Sequence, residues 1–129
     1  MEQAVEFALS RIRVKDLRLR AYIGLNEDER EKLQDVVINL RIDYDALEAA
    51  RSDQVERALD YKGVTKAIIA LVDGQRFLLL ERLVHQVLEA VMAYPEVQGA
   101  EVEIDKPHAL RFADSVSLSM AARRAAGQA

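Results

Sequence analysis

The chain has 129 residues, half of them hydrophobic and 31% charged, which suits one soluble domain with a substantial core. Its net charge of -4 gives no basic footprint for phosphate backbones, so nucleic-acid binding is not expected. With no cysteine and only His85 and His108 as imidazoles, disulfides, cysteine nucleophiles, thiolate zinc sites and a three-histidine metal site within one chain are excluded.

Residues 1–10 read as a loosely held extension. Met1–Leu9 carries Glu2 and Glu6 and no long apolar core, so it is not expected to act as a secretory signal. No apolar run approaches a membrane span, and a cytoplasmic protein is expected. From Arg11 apolar residues alternate as Ile12 and Val14, then as Leu17, Leu19, Ala21 and Ile23. The one-residue slip at Lys15-Asp16 predicts a bulge or a bend. Gly24 ends that strand, and Asn26–Lys32 reads as a polar loop.

Gln34 leads into the clearest strand, with Val36, Ile38, Leu40, Ile42 and Tyr44 alternating with Val37, Asn39, Arg41 and Asp43. The short gap between the two strands implies an antiparallel hairpin. Asp45–Ser52 is a connection with a possible helical turn, and Asp53 followed by Glu56 resembles a capping-box start. Val64, Ile68, Leu71 and Val72 then share a face of a helix over Tyr61–Val72, ended by Asp73-Gly74. A second helix is predicted from about Leu78 to Ala93, stopped by Pro95.

Val102/Ile104 and Val116/Leu118 mark two more strands. Pro107 biases Lys106 towards extended geometry, which holds an amine at a strand end. The connection that follows carries His108 and Arg111. Read alone, it is a loop with solvated charges. Residues 122–129 form an Ala/Arg-rich tail.

The predicted order is β-β-α-α-β-β, an α+β domain over residues 11–121 with two helices on one face of an antiparallel sheet. Long, regular edge strands such as Val36–Tyr44 invite pairing between subunits. A homo-oligomer closed by edge pairing is therefore expected.

Tyr22-Ile23-Gly24, Glu29, Gln34, Leu59-Asp60-Tyr61, Phe77-Leu78-Leu79-Leu80-Glu81 and Glu103-Ile104-Asp105-Lys106 occur in this order and spacing. Together they resemble the dihydroneopterin aldolase family, from Ile12 to about Arg123. His108 to Ser117 looks like the branch of that family that epimerises dihydroneopterin triphosphate at C2'. The resemblance implies a tunnel fold, in which strands of several subunits form one barrel, as a tetramer or octamer with sites between subunits.

The resemblance also implies a pterin substrate and a reversible retro-aldol cleavage. The N5=C6 imine of a dihydropterin can take the electrons of the broken bond, so no cofactor or metal is called for. On this likeness Lys106 handles the proton of the C2' hydroxyl and Glu81 anchors the pterin's paired N–H donors, with Leu80 adding backbone contacts. Tyr61, with Leu59 and Asp60 lining the same pocket, comes from a neighbouring subunit, and its phenol is a catalytic candidate that stacks on the pterin edge and relays a proton. Glu29 and Gln34 contact the substrate side chain and order water near Lys106.

His108 and Arg111 are the candidates for phosphate, with Arg30, Lys32, Arg123 or Arg124 as alternatives. Ile23 stands where some aldolases have a histidine, so no role for that imidazole carries over. Two other outcomes stay open at this point. One is an aldolase that releases glycolaldehyde; the other is an oligomer that binds pterin without turnover.

Overall fold

The computed structural model describes residues 3–126. Its elements run β1 (Ser10–Ile23), α1 (Glu27–Glu31), β2 (Gln34–Tyr44), α2 (Leu47–Ser52), α3 (Tyr61–Val72), β3 (Arg76–Phe77), α4 (Leu80–Met92), β4 (Val97–Pro107) and β5 (Ser115–Arg123), with a 3-10 turn at Val55–Arg57. Residues 1–2 of the expected extension and 127–129 of the expected tail lie outside the described residues.

Period-2 hydrophobicity makes the sheet two-sided. Ile38 pairs with Ile104, Leu40 with Val102 and Ile42 with Ala100, and all six side chains are buried. Val64, Ile68 and Val72 of α3, with Leu83, Val84, Val87 and Val91 of α4, close the same core. The opposite face is polar. Arg11 donates to Asp43 at 2.8 Å, and Arg41 donates to Glu101 at 3.4 Å. Among the described residues no helix is long and apolar enough to cross a membrane.

The slip in β1 is a bulge, the register jumping between Val14 and Leu17. Asp16 takes a left-handed φ of 55°. Its N–H donates to Asn39 Oδ1 at 3.0 Å, and Asn39 Nδ2 returns a bond to Asp16 Oδ1 at 3.3 Å.

The structure departs from the sequence-based expectation in several places. The sheet has five strands in the order β3-β1-β2-β4-β5, because Arg76–Phe77 pairs in parallel with Tyr22–Ile23. Two residues are too few to show a period. Val36–Tyr44 is not an edge strand: it lies between β1 and β4, and the unpaired outer edges belong to β5 and to β1 before it meets β3. Asp53 is no helix start but closes α2, at φ 55°, and the following 3-10 turn begins from Gln54. The polar loop Asn26–Lys32 contains α1, and the second long helix is shorter than predicted at both ends.

Candidate functional site

The antiparallel register sets Asp105 opposite Val37, near the start of β2. Lys106 is the next residue, at the end of the sheet where the β1–β2 loop crosses. That loop is shaped by its first residue: Gly24 has φ 134°, and a Cβ there would lie 2.2 Å from the Glu29 carboxyl carbon. Only glycine lets the Glu29 carboxylate settle against the backbone.

Acidic residues Glu27, Asp28 and Glu29 open α1, where the helix dipole favours them. The Asn26 N–H donates to Glu29 Oε1 at 3.3 Å. Gln34 ties the two ends of the loop together, its Nε2 donating to the carbonyl of Ile23 at 2.8 Å and to that of Glu29 at 3.4 Å.

The ammonium of Lys106 donates to Glu29 Oε2, with side-chain exposures of 12% and 25%. The Lys106 hydrogen bond holds the Glu29 carboxyl below its ordinary 4.5. Burial opposes this, and the amides of Asn26 and Leu25 reinforce it. The bridge is therefore an ion pair with limited access to water. It places a proton donor and an ionised acceptor where a hydroxyl or a water could pass between them.

Glu81 sits in the first turn of α4 and is exposed. Among the described residues it accepts no side-chain hydrogen bond, and His85 pairs with Glu89 at 3.2 Å rather than with Glu81. Leu79, the residue before α4, offers no side-chain cap, so amides of the first turn, Leu80's included, are open to an external acceptor. A free carboxylate beside free N–H groups can receive a ligand edge that carries both donors and acceptors.

Leu59, Asp60 and Tyr61 stand apart from the bridge. Leu59 is buried at 3% exposure. Asp60 caps α3, accepting from the Gly63 N–H at 2.9 Å. Tyr61 leaves half of its surface exposed, on a depression of about 590 Å3 lined mainly by residues 55–62. Among the described residues no hydrogen bond, ion pair or shared pocket joins Tyr61 to Lys106 within the chain.

His108 has a left-handed φ of 59°, and its N–H donates to the Asp114 carbonyl at 3.0 Å, closing the loop after β4. Arg111 is exposed, its guanidinium 5.5 Å from the Phe112 ring centre. Among the described residues neither side chain has a hydrogen-bond partner.

Sequence reading missed Tyr22 and Arg76 as a pair. They are opposite each other in the β1–β3 register, with the guanidinium carbon 3.9 Å from the ring centre. Fifty-four positions separate them in the chain, and nothing periodic marks β3.

Comparison with known proteins adds an independent line. The family model described as "FolB: Dihydroneopterin aldolase" matches residues 12–121. The chain is 53% identical to the dihydroneopterin triphosphate 2'-epimerase of Pseudomonas aeruginosa over 120 residues, 93% of this chain and 98% of that one. It is 31% identical to the dihydroneopterin aldolase of Haemophilus influenzae over 110 residues, covering 85% and 93%. The crystal structure of Escherichia coli dihydroneopterin aldolase in complex with neopterin superimposes with a TM-score of 0.83 at 26% identity, covering 88% of this chain and 98% of that one. The architecture is that of a tunnel-fold subunit.

Proposed function

The chain belongs to the dihydroneopterin aldolase family, and we propose that it inverts C2' of 7,8-dihydroneopterin triphosphate by reversible retro-aldol cleavage. The observation that carries this reading is the gap in similarity, 53% to an epimerase against 31% to an aldolase over nearly the same span. The half-buried Glu29–Lys106 bridge supplies the chemistry.

In the forward step the proton leaves the C2' hydroxyl and the C1'–C2' bond breaks. Its electron pair moves through C1' into the N5=C6 imine, leaving an enamine and an aldehyde that carries the phosphates. The aldehyde turns its other face, C1' attacks it, and the new C2' alkoxide regains a proton. Atoms and electrons balance with no redox change.

Lys106 and Glu29 move that proton as a pair: as Lys106 takes the hydroxyl's proton, directly or through one water, it passes one of its own to the Glu29 carboxylate, and the relay reverses when C2' re-forms, while Gln34 holds the loop that carries Glu29. The free carboxylate of Glu81 binds the pterin's two parallel N–H donors, with Leu80 supporting it through the backbone. Tyr61, flanked by Leu59 and Asp60, completes the site from a neighbouring subunit, against the pterin edge. Its distance in sequence and its separate depression within one chain fit that arrangement. His108 and Arg111, on the loop after Lys106, are side chains available to donate to the phosphates.

In this reading the working form is a homo-oligomer, a tetramer or octamer joined through the outer edges of β1 and β5, acting in the cytoplasm. Residues 11–121 are its folding unit.

The test is a product assay with dihydroneopterin triphosphate and, separately, dihydroneopterin. Products are resolved by chiral chromatography, and glycolaldehyde is measured in parallel. The epimeric triphosphate as main product is the expected result. Glycolaldehyde released from the unphosphorylated substrate as main product would instead make this an aldolase, which runs the same cleavage but protonates C1' and loses the aldehyde.

A further inference from the structure

A second feature borders the Glu29–Lys106 bridge and has no part in the proton chemistry. Tyr22, Gly24, Arg30, Arg76, Phe77 and Leu78 line a pocket of about 190 Å3. Two contacts orient the Arg76 guanidinium there: its carbon lies over the Tyr22 ring, 3.9 Å from the ring centre, and Nη1 donates to the Arg30 carbonyl. Among the described residues its other N–H groups have no hydrogen-bond partner. Among the described residues neither Arg30 nor Arg76 has a carboxylate partner, whereas Arg11, Arg20, Arg41 and Arg57 each have one.

Two guanidiniums without counter-charge on one small pocket attract anions. A guanidinium held over an aromatic ring presents a fork that matches phosphate oxygens. The pocket also adjoins the reacting groups, because Arg30 follows Glu29 directly and Gly24 lies under the Glu29 carboxylate.

We infer that the Arg30–Arg76 pocket seats the phosphate chain of the substrate on the Glu29 side of the bridge, and so determines specificity for the phosphorylated pterin. The inference rests on the epimerase reading above. The loop carrying His108 and Arg111 lies on the Lys106 side, is exposed, and holds its arginine over Phe112. It takes the smaller share of phosphate contact.

The experiment measures kcat/KM for dihydroneopterin triphosphate and for dihydroneopterin in the wild type and in Arg76→Gln, Arg30→Gln and Arg111→Gln. The ratio of the two values is expected to fall about 10- to 100-fold in the Arg76 and Arg30 variants, the scale of one lost charge-assisted hydrogen bond. Inorganic tripolyphosphate is expected to inhibit the wild type competitively and these two variants more weakly. If Arg76→Gln unfolds for want of its stack on Tyr22, Arg30→Gln decides the matter, since its side chain makes no hydrogen bond or ion pair among the described residues. An unchanged ratio in Arg30→Gln and Arg76→Gln, or a fall confined to Arg111→Gln, overturns the pocket assignment. A wild type that produces no epimer from the triphosphate overturns the epimerase reading itself.

Discussion

The ammonium of Lys106 meets the carboxylate of Glu29 across 77 positions of chain. The contact joins the end of β4 to the loop after β1, two pieces of backbone that the sheet holds at one end. Strand register places Lys106 and the loop built on Gly24 places Glu29, so the geometry of the pair rests on both.

Lys106→Met is expected to lower kcat by about 10²- to 10⁴-fold, the range for loss of a positioned proton-transfer group, while KM changes far less. Steady-state kinetics on dihydroneopterin triphosphate, beside circular dichroism to verify folding, check this. Near-normal turnover in the variant would remove Lys106 from the chemistry.

The lowered Glu29 pKa has a consequence for stability. The folded state binds this proton more weakly than the unfolded state, so the stabilisation is present above the ordinary carboxyl value of 4.5 and lost as pH falls through the lower folded value. Urea midpoints of the wild type and Glu29→Gln are expected to differ at pH 7 and to converge below pH 4.5. A difference that grows on acidification would contradict the pairing.

At Gly24 a methyl group would collide with the Glu29 carboxyl while also occupying a backbone region that alanine avoids. We expect Gly24→Ala to cost about 1–3 kcal/mol of stability and to lower kcat by displacing Glu29. Thermal unfolding together with turnover at saturating substrate tests both parts; full activity in the variant would show that the carboxylate can move without penalty.

Glu81 accepts no side-chain hydrogen bond among the described residues, so its replacement disturbs little of the fold. Glu81→Gln replaces one acceptor oxygen with a donor facing the pterin N–H groups. KM is expected to rise about 10- to 100-fold, as for a charged hydrogen bond lost, with a smaller change in kcat. Calorimetric titration with neopterin gives the same answer free of kinetics, and undiminished affinity would send the pterin elsewhere.

Much of the fold was legible because its signals are periodic. Alternation marked β1, with its bulge, and β2, and the 3.6-residue stripe marked α3 to its ends. The interior place of β2 was hidden, because alternation records which face is buried and not which neighbours flank a strand. The two-residue β3 lies below any period, and with it went the Tyr22–Arg76 stack. Single residues such as Glu29, Gln34 and Lys106 stood out through their likeness to a family. Their convergence depends on the β1–β2–β4 register, which no local pattern encodes. The double duty of Asp60, helix cap as well as candidate site residue, was likewise invisible before its bond to Gly63.

The kink at Asp16, clasped by Asn39, lies on a strand whose outer side is open until it meets β3 at Tyr22. A regular open edge is a template on which copy after copy can add, towards fibrous aggregate. A strand that carries its own interruption offers an incoming chain an unbroken ladder only on one side of the break. The bulge thus limits how a second copy can align, and guards the newly made polypeptide against growth without end.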